Sequence, residues 1–317
     1  MLTIKGLYKF YGRHAALNDM SMHVDKGDLF GFVGPNGAGK TTTMRICCGL
    51  LGADAGEVYI DGQEVLHNST MLRERIGYVP DFFGVYDNLT SIEYLEFFAS
   101  TYGMRGPETT KMCEGLLELV NLSDKRDVNV DGLSRGMKQR LCLARGLVHN
   151  PDLLFLDEPA SGLDPRARFE LKEILRNLSA LGKTIVISSH ILPELAEMCT
   201  SVGIVDRGHM VVCGKVEDIL HSAKTMNPVD ITVGSDDQER IILTLKENPL
   251  VGKIQVSGRK YRVAFDGDEN DEMILLRSLV QADIPVLNFS REESSLEEMF
   301  MQLTKGGKAV NEKTKNK

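Results

Sequence analysis

An α/β domain of about 220 residues followed by a small α+β domain is what the sequence predicts, on three observations. Short β-rich runs alternate with helical patterns from residue 1 to about 220, as in layered α/β folds. Several of those runs are apolar throughout, "LLFL" and "TIVI" among them, which is how strands covered on both faces read. After "HSAKTMNP" (221–228), a polar stretch ending in Asn-Pro and read as a linker, the order becomes strand, helix, two strands, helix, strand.

Taken in order, strands are expected at 28–33, 75–80, 152–157, 183–189 and 201–206. Helices are expected at about 40–50, 91–101, 108–120, 135–148 and 166–181. In the second domain the pattern gives strand 229–233, helix 238–247, strands 252–256 and 260–265, helix 270–281 and strand 285–289. That βαββαβ order predicts a ferredoxin-like sandwich. "SSLEEMFMQLT" (294–304) adds a helix near 295–303, with Leu296, Met299, Phe300 and Leu303 on one side. The expected domains are 1–220, with a helical subdomain at about 85–135, then 229–304, then a flexible basic tail at 305–317. Five lysines and one glutamate in those last 13 residues make a solvated tail.

The 317 residues carry a formal charge of −8, opposite to the balance of a protein living on a phosphate backbone, so no nucleic acid partner is expected. The six cysteines form no C-x-x-C pair and no secretory leader is visible, which points to reduced thiols in a cytosol. The longest apolar runs fall far short of the roughly 20 residues that span a bilayer. Any membrane role is therefore expected to be borrowed from a partner.

"GPNGAGKT", Gly34 to Thr41, fits G-x-x-x-x-G-K-[ST] between a strand and a helix. In such a loop, here Gly34, Pro35, Asn36, Gly37, Ala38 and Gly39, the glycines let the backbone turn its N–H groups toward one centre, and the following helix, with Thr42 in its first turn, adds the positive end of its dipole. Lys40 is placed to reach the outer phosphates of a nucleotide, and Thr41 offers a hydroxyl to Mg²⁺. "LLFLDEP" sets Asp157 and Glu158 at the carboxyl end of a buried strand, where ligands of open α/β sheets gather. Asp157 is expected to hold the metal through its water shell, and Glu158 to orient and deprotonate the attacking water.

Together with "LSRGMKQRL", "SGLD" at 161–164 and a lone His190 closing a strand, these motifs resemble the nucleotide-binding subunit of an ABC transporter over about residues 2–218. The resemblance implies a P-loop NTPase cassette with a mixed sheet core and a helical subdomain, binding ATP and Mg²⁺. It implies Lys40, Glu158 and His190 as catalytic residues, His190 being the switch histidine at the outer phosphate. Ser134 and Gly136 match the signature loop that touches the nucleotide of the opposite subunit. Tyr11 matches the aromatic that stacks on adenine. Ser134 is also placed to cap the helix after it.

Two positions depart from the family pattern. Asp81 stands where the family has Gln; its carboxylate is a candidate third metal-site group beside Thr41 and Asp157, and it repels an outer phosphate that comes close without the metal between them. The signature "LSGGQ" is here "LSRGM", with Arg135 and Met137 in place of Gly and Gln.

One cassette per chain implies a dimer of cassettes, with itself or a related subunit. The resemblance is strongest to exporter subunits for drugs, sodium or polysaccharides, whose ATP-driven closure powers a separate integral membrane permease from the cytoplasmic face. Residues 82–103 hold seven of the chain's twenty Phe and Tyr residues. Projected on a helix, 91–102 has an apolar arc of more than about 200°, twice what one core face needs. The surplus is expected to receive a cytoplasmic helix of the permease, the alternative being that two sides of the helical subdomain's own core take up the whole arc. The alternative class is a soluble ABC ATPase acting on a partner such as the ribosome; a third is a regulatory module that binds ATP without hydrolysis. "DGDENDE" (266–272) reads as an acidic turn and helix start rather than a cation loop.

Overall fold

A computed structural model of the chain describes residues 1–66, 72, 74–81, 84, 88–219 and 228–291. It divides between Val216 and Glu217 into two compact units.

In the first unit, β1 (Leu2–Tyr11) and β2 (His14–Val24) form a hairpin, and β3 (Leu29–Val33) runs into the glycine-rich loop and α1 (Lys40–Cys47). Strands β4 (Ala55–Ile60), β5 (Gln63–Glu64) and β6 (Ile76–Val79) follow, then α2 (Ser91–Thr101), α3 (Pro107–Leu119) and α4 (Arg135–Leu147). The unit continues with β7 (Leu153–Leu156), α5 (Pro165–Ala180), β8 (Thr184–Ser189), α6 (Leu192–Ala196), β9 (Ser201–Asp206) and β10 (His209–Lys215).

Two sheets result. One is antiparallel, ordered β2-β1-β4-β5; the other is ordered β10-β9-β3-β8-β7-β6, parallel except for β10 at its edge. Every residue of β3, β7 and β8 is buried, the reason these strands lack alternation. Phe30, Phe32 and Phe155 pack in one core with Leu2 and Ile4 of the antiparallel sheet, each fully buried ring contributing about 1.5–3 kcal/mol. Val33 pairs with Ser189 and Leu156 with Ile187. The loop after β3, the acids after β7 and the end of β8 therefore meet at one edge, the carboxyl edge of a parallel sheet.

Helix α1 stops at Cys47 rather than near residue 50. Gly49 takes φ +69°, and the N–H of Leu50 turns back to the carbonyl of Arg45 at 2.8 Å, a left-handed helix ending that suits glycine. Helix α2 starts on a capping box, in which Thr90 accepts from the Glu93 N–H and Glu93 accepts from the Thr90 N–H. Its Ile92, Tyr94, Leu95 and Ala99 are buried, whereas Phe97 and Tyr102 are each 42% exposed. The expected strands and helices of this unit appear in place. The hairpin and its antiparallel sheet, β10 and α6 are additions to the pattern.

The second unit runs β11 (Val229–Val233), α7 (Gln238–Lys246), β12 (Val251–Ser257), β13 (Lys260–Phe265), α8 (Glu269–Gln281) and β14 (Val286–Arg291). Its antiparallel sheet is ordered β12-β13-β11-β14, the arrangement of a ferredoxin-like sandwich. Burial alternates strictly along β13, and Ile241, Leu245, Leu275 and Leu279 of the two helices cover the inward residues. Asp268 caps α8 by accepting from the N–H groups of Asn270 (2.8 Å) and Asp271 (3.0 Å), so the acidic run is a helix start. No cluster of three or more metal-ligating side chains occurs among the described residues, and no helix among them is long and apolar enough to cross a membrane. Residues 221–227 of the expected linker, the helix expected at 295–303 and the tail 305–317 lie outside the described residues.

Candidate nucleotide site

The glycine-rich loop is shaped by close packing as much as by flexibility. Gly39 sits at φ +107°, and a methyl there would lie 2.7 Å from Leu17 Cδ2 and 2.8 Å from the Ala16 carbonyl oxygen. At Gly34 a methyl would meet the Val205 carbonyl oxygen at 2.4 Å. These two positions require glycine. Gly34 also donates its N–H to the Ser189 carbonyl at 3.3 Å, and Ala38 to that of Pro35 at 3.1 Å. Pro35, Asn36 and Gly37 form the exposed crest; Ala38, Gly39 and Lys40 are buried, and Thr41 and Thr42 are half-buried.

Lys40 Nζ donates to the Gly34 carbonyl at 2.7 Å and lies 3.3 Å from Glu158 Oε1. The other carboxylate oxygen of Glu158 meets His190 Nδ1 at 3.0 Å. Beside them, Asp157 Oδ1 accepts from Ser188 Oγ at 2.8 Å and from Thr41 Oγ1 at 3.1 Å. Lys40, Thr41, Asp157, Glu158 and His190 are thus brought together from three separate segments. The Asp157–Thr41 pair offers hard oxygen donors, the chemistry Mg²⁺ selects.

Ser188 and Tyr78 are the members that sequence reasoning missed. Ser188 Oγ accepts from the Glu158 N–H at 2.9 Å while donating to Asp157, so one hydroxyl orients both acids. The "SS" ending β8 beside His190 was the available signal. Tyr78 reaches Asp157 Oδ2 at 3.4 Å; burial and the Asp157 charge push its phenol up to about 12, so it stays a neutral donor. Asp81 faces the same acids: burial first, then the Asp157 and Glu158 charges, raise its carboxyl, and Arg135 opposes them. Cys47 and Cys48, at the C-terminal end of α1, have thiols pushed up by burial, Cys47 to about 12, and are chemically quiet.

Ser134 caps α4 by accepting from the Met137 N–H at 3.3 Å. Gly136 packs so closely on α5 that a methyl would lie 2.6 Å from Ala167 Cβ. Among the described residues, neither has a hydrogen bond to the loop holding Lys40; both line a separate open cavity with Asp164 and Arg166. Tyr11 ends β1, pairs with His14 across the hairpin turn and is 51% exposed, with Lys9 Nζ 5.9 Å from its ring centre.

The description "ABC transporter" belongs to the family whose model matches residues 17–161. Over 305 residues the chain is 34% identical to the Nod factor export ATP-binding protein I of Ralstonia nicotianae, covering 96% of this chain and 94% of that one. It is 29% identical over 306 residues to the linearmycin resistance ATP-binding protein LnrL of Bacillus subtilis, covering 96% and 98%. Among solved structures, an ATP-binding subunit of an ABC transporter superposes with TM-score 0.63 at 30% identity, over 70% of this chain and 93% of that one. A dimeric, post-hydrolysis ATP-binding cassette bound to ADP and Pi superposes with TM-score 0.62 at 26% identity, over 68% and 99%. The chain belongs to the ATP-binding subunits of ABC transporters.

Proposed function

We propose that this chain binds and hydrolyses ATP to power export through a separate integral membrane permease, working as a homodimer or heterodimer of cassettes on the cytoplasmic face of the membrane. The observation that carries the proposal is the placement of Glu158, its two carboxylate oxygens held by Lys40 and His190 next to the Asp157–Thr41 pair. The export character of the relatives named above supports the direction of transport.

In this reading the loop Gly34–Thr42 cradles the phosphates, Lys40 holds the outer ones and Tyr11 stacks on the base. Thr41 and Asp157, with Asp81 alongside, would hold Mg²⁺, which would neutralise charge on the outer phosphates. Glu158 accepts the proton of the attacking water, and His190 orients Glu158 and contacts the outer phosphate, a positioning task of the kind phosphoryl transfer depends on. Ser134 and Gly136 complete the partner cassette's site, so ATP favours the closed pair. The exposed Phe97 on α2 and Tyr102 at its C-cap support docking of a permease helix there, while buried Tyr94 belongs to the subdomain's own core. The second unit serves as an accessory module, regulatory or dimer-stabilising.

Capture of tagged Glu158→Gln protein from detergent-solubilised native cells with ATP present tests the proposal. A stoichiometric polytopic membrane protein identified by mass spectrometry is expected. Repeated recovery of soluble partners alone, ribosomal ones included, would overturn the export role.

A further inference from the structure

Arg135 occupies a position where the family signature has glycine, and the structure gives its side chain a definite seat. A methyl group at Gly162 would lie 2.6 Å from Arg135 Cζ and Nη1 and 2.8 Å from Nη2; the flat guanidinium rests on the Gly162 backbone. Gly162, at φ +67°, belongs to the turn that follows the catalytic acid. In it Ser161 donates its N–H to the Glu158 carbonyl at 3.0 Å and Leu163 to that of Ala160 at 3.3 Å.

Glu158 itself adopts φ +48°, a left-handed conformation that a non-glycine residue keeps only when its surroundings hold it. Ser188 secures its N–H, Lys40 and His190 secure its carboxylate, and the guanidinium braces the turn on the far side. The seat of Arg135 is unfavourable by helix criteria alone. It is the first residue of α4, whose first turn has no acid, and the positive end of the helix dipole opposes a cation there. Compensation comes from outside the helix, where Arg135 counters the charge of Asp81 beside Asp157 and Glu158.

We propose that Arg135 is a positioning residue for hydrolysis: seated on Gly162, it holds the turn that sets the backbone of Glu158, and so ties the Ser134–Gly136 loop to the acid cluster of its own chain. The assignment rests on the ATPase function proposed above.

The test is steady-state ATP hydrolysis by the full-length chain carrying Arg135→Ala, Arg135→Lys, Gly162→Ala or the Arg135→Ala/Gly162→Ala pair. ATP affinity is measured alongside in the Glu158→Gln background with and without Arg135→Ala. Arg135→Ala is expected to lower kcat about tenfold to a hundredfold, the scale of a displaced catalytic group, with KM and ATP affinity within about twofold. Gly162→Ala evicts the guanidinium and adds strain at φ +67°, so its loss is at least as large, and the pair is no worse than Gly162→Ala alone, because the contact is already broken there. Lys restores charge without the flat face and rescues only in part. An unchanged kcat in Arg135→Ala, losses that multiply in the pair, or a loss confined to KM would overturn the inference. A wild-type chain that hydrolyses no ATP would overturn the ATPase reading itself, a result distinguishable from all of these.

Discussion

Lys40 and Glu158 face each other at 3.3 Å, with the lysine 6% exposed and the glutamate 16% exposed. The ammonium has as its partners the Glu158 carboxylate and the Gly34 and Pro35 carbonyls, at 2.7 and 3.3 Å, and a triphosphate over the loop competes for the same three donors. Lys40→Ala removes the only side-chain cation of the loop, and ATP affinity is expected to fall by at least about tenfold, the scale of one charge-assisted hydrogen bond. Lys40→Arg does not restore it, because a planar fork does not replace a point charge in so enclosed a seat. Titration with a fluorescent ATP analogue checks both; unchanged affinity in Lys40→Ala would remove the loop from nucleotide binding.

Glu158 offers the complementary separation of binding from chemistry. The Gln variant keeps shape and the contact from Lys40 but loses the proton acceptor proposed above, so turnover is expected to drop about 10²- to 10⁴-fold with ATP still bound. Phosphate release and equilibrium binding, measured on the same preparation, distinguish this from a folding defect. Unchanged turnover would transfer the base role to another group.

Gly39→Ala tests whether the loop is held by packing. Its φ of +107° and the Ala16 carbonyl oxygen 2.8 Å from a new methyl leave no strain-free alternative, because the obstacle is backbone. A loss of roughly 1–3 kcal/mol in stability is expected from the forced conformation, visible as a lower Tm, together with weakened ATP binding. A variant with wild-type Tm and affinity would show that the turn adapts.

How far the fold was legible follows from burial. β3, β7 and β8 are covered on both faces and read as unbroken apolar runs, which a window of four to six residues detects. The hairpin of β1 and β2 hides itself: register shifts between Ile4 and Leu7, Leu7 and Lys9, and Lys9 and Phe10 break the two-residue period that marks a half-buried strand. In the second unit the shift-free pairing of β11 with β13 and the strict alternation of β13 kept the period intact. At the site, Lys40, Thr41, Asp157 and Glu158 announce themselves by motif. Ser188 and Tyr78 do not, since a serine in an apolar strand and a tyrosine in "IGYVP" acquire meaning only when β6, β7 and β8 lie side by side. Arg135 was visible as a departure from pattern, but its seat on Gly162 joins residues 27 apart.

Acid sensitivity of the antiparallel sheet is expected to centre on Asp54. Its carboxylate accepts from the Phe10 N–H at 2.6 Å and from Lys9 Nζ at 3.1 Å, and the Phe10 bond, then Lys9, hold its carboxyl below the usual range. The folded state thus favours the charged form, and the unfolded chain takes up the proton first. The resulting stability is present above the ordinary carboxylate range and is lost as pH falls through it and below. Asp54→Asn is expected to lower stability at neutral pH and to flatten this part of the profile between about pH 5 and pH 3, with variant and wild type converging at the acid end. Urea midpoints across that range, with an unaltered slope in the variant, would refute the assignment.

Tyr261 poses the opposite case in the second unit. It is 1% exposed, sits on β13 against the helices, and its hydroxyl has no hydrogen-bond partner among the described residues. Burial, with the charges of Asp236 and Asp237, raises its phenol, so the group is neutral and desolvated at once. An unpaired buried hydroxyl costs about 1–3 kcal/mol, whereas the ring packs with Ile241 and Leu275 in a well-filled core. Tyr261→Phe keeps the ring and removes the cost, so it is expected to slow hydrogen exchange at Ile231 and Val263 on the paired strands β11 and β13. Faster exchange in the variant would mean that the hydroxyl is satisfied by a buried water, whose two to four partners would then be lost with it.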